Sequence, residues 1–365
     1  MTDTIFEPDF DASPLHETLQ AIGNNAWLVE RMLLLPKHEL WLKRDVQVAR
    51  AAATTQIEGA ALSESEVSDL LNTARGPRLT PDQQANLNAV AAYDFVEYLS
   101  GQGDIPIDEL VMRELNRQFL IGSSEALTPG SYRKGQNRVG NRYEPPDQGD
   151  VPALMRDFVT WLNTADEIDP VVRAALAHLH LVAIHPFWDG NGRTARAVAT
   201  LVLQRSPSYA FRGLLSMEQY LAQTRNEYFS AIERSLGTGF SSTYNAMPFI
   251  EFFVAALRAH SDHLTQRLTQ WHRDMEQVQA AAGAMNLNHR QADALAYAMK
   301  TGKLTRAGYL EITRTSPITA SRDLADLVAR GWLEPVGRTR GRFYRLLGPA
   351  QGPPAPPFSS RPPAT

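Results

Sequence analysis

The chain has 365 residues, 43% of them hydrophobic and 21% charged, with a net charge of −4 and an isoelectric point near 6.2. It is too apolar to be disordered and too long for one small core, so two or three folded units are expected, and its overall charge gives no pull toward nucleic acid or an anionic membrane. The absence of cysteine excludes disulfides, thiol nucleophiles, iron–sulfur clusters and cysteine-based zinc sites.

The first fourteen residues are acidic and lack the basic start and apolar run of an export signal. No stretch reaches the roughly eighteen apolar residues of a membrane span, which predicts a soluble, cytoplasmic protein with no membrane contact. From 15 to 100 the apolar residues recur at three and four positions, which predicts a helical module over 1–100, punctuated by Gly76-Pro77 and Pro81. Inside it, 47–53 is rich in helix formers and Gly59 reads as a helix stop. A helix over 107–121 leads into a Gly/Asn/Arg-rich passage, 131–146, whose composition suits a hairpin or extended flap. Helical spacing returns over 151–163, 171–184, 195–203, 217–235 and 247–280. These segments divide into a core over 101–240 and connecting helices over 241–284. Composition shifts after Gly283, and 288–300, 305–313 and 319–330 read as three short helices. Two strands, 331–336 and 342–346, follow, with Gly337 and Gly341 bracketing an Arg-rich turn. Three helices plus a hairpin is the winged-helix layout, assigned to 285–347, and the Pro-rich end, 348–365, is predicted to be disordered. The fold class is mainly α.

Chemistry concentrates in His185-Pro186-Phe187-Trp188-Asp189-Gly190-Asn191-Gly192-Arg193-Thr194-Ala195-Arg196, between two helical segments. Gly190 and Gly192 permit backbone angles that turn successive N–H groups inward as an anion nest. That nest lies at the N-terminus of the following helix, where orphan amides and the dipole both favour phosphate. Asp189 offers a hard oxygen for magnesium on nucleotide phosphates, which takes only one or two protein carboxylates. Arg193 and Arg196, three apart on a helix, share a face and can grip phosphate oxygens. His185 is placed to accept a proton from an attacking hydroxyl. Taken singly, a Gly-Asn-Gly is also a common helix-end turn and a histidine near a helix end is also a common packed residue; their co-occurrence within twelve residues favours a phosphate-transfer site.

The string resembles the signature of the Fic family, His-Pro-Phe-x-Asp/Glu-Gly-Asn-Gly-Arg-x-x-Arg, and meets every fixed position. The resemblance implies a helical Fic fold that transfers AMP from ATP to a Ser, Thr or Tyr hydroxyl of a target protein or of itself. On it, His185 is the base, Asp189 holds magnesium, Asn191 with the Gly190 and Gly192 amides forms an anion hole, and Arg193 and Arg196 handle the outer phosphates. It further implies that 131–146 is a target-docking flap with Val139 and Gly140 at its edge, and that Tyr228 contacts adenine. His178 and His180, on the helix before the signature, are assigned structural roles, with no third ligand to complete a metal site.

Thr54, Glu58 and Gly59 fit the family's inhibitory pattern, Ser/Thr-x-x-x-Glu-Gly/Asn. Their position resembles the class with an N-terminal inhibitory helix, whose glutamate pairs with the last signature arginine, here Arg196. The same glutamate in some members helps to remove AMP, so the reverse reaction stays open. A rival from another class comes from 285–347, where eleven Lys and Arg face five Asp and Glu, a surplus of +6 in a chain of −4. A basic winged helix can set 319–322 in a DNA groove with the Arg338-Thr339-Arg340 wing on the backbone, making the chain an ATP-sensing, DNA-binding regulator. Assembly through helical surfaces, as a homodimer, is compatible with the sequence.

Overall fold

A computed structural model describes residues 9–34, 36–72, 79–122, 128–140, 142–284, 286–337 and 342–347. The Gly76-Pro77 break, the Arg338–Arg340 turn with Gly341, and the Pro-rich end at 348–365 lie outside the described residues. Contacts divide the chain into two units, Met1–Thr265 and Gln266–Thr365. The chain is mainly helical.

The first unit contains α1 (His16–Arg31), α2 (Pro36–Ile57), α3 (Glu64–Asn72), α4 (Pro81–Ser100), α5 (Glu109–Leu120), α6 (Val151–Thr164), α7 (Pro170–Ile184), α8 (Asn191–Arg205), α9 (Met217–Gln223), α10 (Arg225–Leu236) and the start of α11 (Met247–Ala284). Local chemistry sets several starts. Thr80 and Gln83 form a capping box on α4, with Pro81 supplying a preset φ, and the Asp108 and Asp169 carboxylates cap α5 and α7. Helix α7 is apolar on nearly every side, so it runs through the centre of this unit with almost all its residues buried. Helix α8 folds back beside it, buried along most of its length. The signature is the turn between them.

Two expectations need correcting. The single helix predicted over 217–235 is broken at Thr224, whose φ of −107° and ψ of 39° leave the helical region. The passage 131–146, expected as a hairpin or extended flap, shows among its described residues no strand pair but one isolated bridge, Val139 to Tyr143, and Glu144 pairs with the backbone of Thr238 and Phe240.

The second unit contains the rest of α11, α12 (His289–Thr301), α13 (Arg306–Thr313), α14 (Pro317–Ala329), β1 (Leu333–Val336) and β2 (Phe343–Leu346). Asn288 and Gln291 form a capping box, and Thr305 and Ser316 cap the next two helices. Strands β1 and β2 pair antiparallel with Leu333 opposite Leu346, and Leu304 adds a bridge to Tyr344. Leu295, Tyr309, Leu324, Leu327 and Trp332 fill the core. Among the described residues, no helix is long and apolar enough to cross a membrane.

Candidate active site

The turn between α7 and α8 is held open by its own hydrogen bonds. His185 caps α7 in the left-handed region, φ 50° and ψ 56°, with its N–H donating to the Leu181 carbonyl at 3.0 Å. A histidine held at positive φ is an uncommon arrangement that the surroundings must sustain. Gly190, φ 76°, begins α8. The Asn191 side chain closes the loop from both sides, accepting from Phe187 N–H and donating to Phe187 C=O, each at 2.9 Å. The amides of Asn191, Gly192 and Arg193 are the first of α8 and have no acceptor one turn back, so they remain available to an anion.

Two residues that sequence reasoning missed lock this loop to the rest of the unit. Buried Asn116 on α5 donates to the Asp189 carbonyl and accepts from Gly130 N–H, both at 2.9 Å. A Cβ at Gly190 would lie 2.9 Å from the Asn116 amide nitrogen, so glycine is required there by space as well as by φ. Buried Arg133 donates through Nε to the His185 carbonyl at 2.9 Å and through its guanidinium to Pro146 and Gly135, while its own N–H donates to the Pro186 carbonyl at 2.8 Å. It thereby clasps 131–146 to the signature. Neither residue's hold on the signature carries a local signal, since Asn116 reaches Asp189 and Arg133 reaches His185 across 73 and 52 residues.

The charged groups are distributed unequally. Asp189 is 43% exposed and accepts from Arg193 at 2.9 Å and from the Gly190 amide. Its hard oxygens at the rim of an anion nest fit a cation that arrives on phosphate, and releasing Arg193 would free one of them. Arg196 is 2% exposed. It donates through Nε to Thr54 Oγ1 at 3.0 Å, and through Nη2 to the Thr54 carbonyl at 3.2 Å and to Glu58 Oε1 at 2.7 Å. Burial alone would lower the Arg196 pKa, but Tyr228, Glu58 and Tyr93 outweigh it and hold the guanidinium above its usual range. Glu58, in the turn after α2, is 39% exposed. Gly59 ends the turn at φ 102°. A Cβ at Gly192 would stand 2.8 Å from Glu58 Oε1, so the carboxylate lies against the mouth of the nest.

Burial disfavours the charged form of the three histidines at and before the turn, His178, His180 and His185. It pushes the His185 imidazole down to about 4, opposed first by a hydrogen bond with the Val182 backbone and more weakly by Glu58 and Asp189, with Arg133 adding to the lowering. His178 and His180 are pushed down to about 3, chiefly by burial. His178 hydrogen-bonds Tyr228 at 2.8 Å and stacks on Phe249, while His180 bonds the Tyr244 hydroxyl. Tyr228, expected against adenine, is therefore a core residue: it is 1% exposed and its hydroxyl is taken by His178 and Arg196. Val139 is also not a free strand edge, because Tyr143 takes both its N–H and its carbonyl. Gly140 sits in the same turn at φ 57°. Among the described residues, the stretch 134–138 has no backbone-to-backbone bond, and exposed Trp188 packs over Gly135.

Residues 106–203 match the Fic/DOC family model. These residues form a Fic domain. The chain is 30% identical over 230 residues to protein adenylyltransferase fic-1 of Caenorhabditis elegans, a match covering 58% of this chain and 42% of that protein. It is 43% identical over 105 residues to protein adenylyltransferase Fic of Drosophila melanogaster, covering 28% of this chain and 20% of that one. The chain thus spans less than half the length of the curated relatives it matches. Among solved structures, a Fic family protein from Desulfovibrio desulfuricans shares the fold with a TM-score of 0.62 at 22% identity, over 95% of this chain and 100% of that one. The Caenorhabditis elegans Fic-1 structure does so with a TM-score of 0.56 at 23% identity, over 70% and 72%. In this Fic domain, α5 contributes Asn116, the loop before α6 contributes Arg133, and the α7–α8 turn contributes the signature.

Proposed function

We propose that the chain transfers AMP from ATP to a Ser, Thr or Tyr hydroxyl of a target protein or of itself, and that Glu58 restrains it. The observation that carries this reading is one helix turn that brings a neutral His185 beside unpartnered first-turn amides, with Arg196 buried one turn further along. The hydroxyl oxygen attacks the α-phosphorus of ATP and the bond to the α–β bridging oxygen breaks, releasing pyrophosphate. The hydroxyl proton passes to His185, which can accept it because burial keeps the ring neutral at physiological pH. The Gly192 and Arg193 amides face the charge that grows on the non-bridging oxygens. Asn191 and Asn116 preserve the loop shape that aims those amides. Asp189 would hold magnesium, which when bound neutralises phosphate charge. Arg196 would grip the outer phosphates only after leaving Glu58. The stretch 134–138 beside Trp188, which among the described residues makes no backbone-to-backbone bond although Arg133 takes the Gly135 carbonyl, suits a target segment added as a strand.

The test is intact-protein mass spectrometry of the full chain after ATP and magnesium. Glu58→Gly is expected to gain AMP on a hydroxyl residue, and His185→Ala in that background to gain none. Equal AMP incorporation with and without His185 would sink the assignment. Label that appears and then decays in wild type, but persists in Glu58→Gly, would mark the reverse, AMP-removing reaction at the same site.

We also propose that the second unit is a winged helix that contacts duplex DNA. What favours this is where α14 sends its acids. Asp323 is turned inward onto Arg290 and Tyr309, and Asp326 is taken by Arg330 and Gln291. Outward remain Ser316, Ile318, Ser321 and Arg322, flanked by exposed Arg306 and Arg314, so three arginines are placed to meet phosphate. If three arginines meet phosphates, raising salt from about 50 to 200 mM should weaken binding of a short duplex about fortyfold. Fluorescence anisotropy measures this. Unchanged binding in Arg314→Glu/Arg322→Glu, or a dimer in place of a DNA complex, would refute it.

A further inference from the structure

Helices α2 and α8 face each other through a ladder of polar side chains. On α2 and the turn after it, Arg50, Thr54 and Glu58 recur every four residues and so share one stripe. On α8, Gly192, Arg196, Thr200 and Gln204 do the same. The rungs run antiparallel. Glu58 meets Arg196 beside Gly192, Thr54 meets Arg196, and Arg50 lies at the far end beside Gln204, whose side-chain amide, once turned over, would set its oxygen 3.1 and 3.2 Å from the guanidinium.

The far end is the heavier one. Arg50 and Glu218, the latter from the first turn of α9, are each about as buried as Arg196, at 2% and 1% exposure. Their charged atoms are 4.0 Å apart. Arg50 also donates to the Gly213 and Leu215 carbonyls at 3.0 and 2.5 Å. Glu218 accepts from Tyr93 on α4 and Thr200 on α8, both at 2.8 Å. One Arg50 nitrogen is fixed by two carbonyls while its Nε, 4.0 Å from Glu218, has no hydrogen-bond partner among the described residues, so an axial slip of α2 would strip partners from a buried charge that already lacks one. Glu58 itself is held more lightly, by one ion pair at the edge of solvent, while the turn before it keeps the Thr54–Arg196 bonds, the Thr55–Asn86 bond and the bond from Arg225 to the Ile57 carbonyl.

We infer that Arg50 and Glu218 anchor the register of α2 on α8 and are positioning residues for the contact between Glu58 and Arg196. This rests on the restraining role proposed for Glu58 and deepens it. With the anchor intact, α2 stays docked and Glu58 is released by turning its own side chain. With the anchor removed, the last turn of α2 slides or frays and Glu58 loses its place. The anchor also explains why an acidic residue is tolerated at Glu218 in a nearly dry interior: it balances Arg50 and collects two hydroxyl donors.

The test removes both charges together in Arg50→Met/Glu218→Gln, which keeps side-chain volume and the acceptor for Tyr93 and Thr200. In the full chain incubated with α-labelled ATP and magnesium, this variant is expected to label itself about fivefold or more faster than wild type, the lower end of ordinary coupling between sites. In the Glu58→Gly background the same pair is expected to add nothing. A merely structural role would lower labelling in both backgrounds. Wild-type labelling by the folded variant, or a further rise on top of Glu58→Gly, overturns the anchor. Gln204→Leu, which removes one rung only, is expected in the same direction and carries the test if the double variant does not fold. Should Glu58→Gly itself label no more than wild type, the restraint is what fails. The anchor is then decided by hydrogen exchange at residues 54–58, where protection unchanged by Arg50→Met/Glu218→Gln overturns it.

Discussion

Replacing Glu58 is the perturbation whose two consequences, on stability and on nucleotide handling, should separate most clearly. In Glu58→Gly, Arg196 loses its 2.7 Å partner but keeps two bonds to Thr54 and one to Tyr228. Breaking a fully buried ion pair costs about 3–5 kcal/mol, but Glu58 is 39% exposed, so the cost should lie nearer that of a surface pair, about 1 kcal/mol. For a unit of this size that is a fall in Tm of about 2–4 °C. The nucleotide term is larger. Glu58 Oε1 lies against Gly192 at the mouth of the anion nest, where a phosphate would sit roughly 4 Å away. Repulsion between two unit charges at that distance is about 1 kcal/mol in water and about 4 at an effective dielectric of 20. Removing the carboxylate should therefore raise productive ATP use by about fivefold to several hundredfold. Differential scanning fluorimetry and α-labelled ATP incorporation measure the two effects on one preparation. Glu58→Gln, which keeps the shape, should reproduce most of the gain, and Gly192→Ala, whose methyl would press on the carboxylate, should share its sign on the restraint. A variant that loses Tm without gaining incorporation would show that the carboxylate only stabilises the fold.

Gly190→Ala should reduce AMP incorporation in a Glu58→Gly background by at least about tenfold, because its Cβ would meet Asn116 at 2.9 Å and a φ of 76° is strained for alanine; circular dichroism should show the helices retained. Acid should destabilise the protein through its buried histidines. Their folded pKa values, about 3 for His178 and His180 and about 4 for His185, lie below the unfolded value of 6.5. The unfolded chain thus binds more protons between those values, and stability present above pH 6.5 is lost as pH falls toward 4 and below. Near pH 5 three such groups amount to about 4 kcal/mol per pH unit. Urea unfolding at pH 7, 6 and 5 checks this, and a His180→Asn variant should lose about a third of the slope. A slope independent of His180 would contradict its burial as a neutral group.

Much of the first unit is legible from local pattern. The periodicity of 171–184, the Asp169-Pro170 start and the glycines at 190 and 192 dictate a buried helix, a phosphate-shaped turn and a second helix, because capping, φ freedom and helical spacing act within a few residues. The order of the three helices and two strands near the C-terminal end is legible for the same reason. The break at Thr224 was not, since the apolar spacing continues across it. Tyr228 illustrates the limit: its place on an amphipathic helix is local, but whether it faces a ligand or the core depends on His178, fifty residues earlier.

The sequence by itself determined which groups the chain has for chemistry: one histidine, one carboxylate, two glycine-bracketed amides and two arginines in a fixed order, since covalent spacing alone puts them on one turn and one helix face. Only the tertiary structure decided their state. Burial made His185 neutral, and Asn116 and Arg133, 69 and 52 residues before it in the chain, hold the loop that presents it. The packing of α2 against α8 brought Glu58 to Arg196 across 138 residues. Dielectric environment, hydrogen-bond partners and charge pairing arise between segments distant in the chain, so they exist only once the helices are docked.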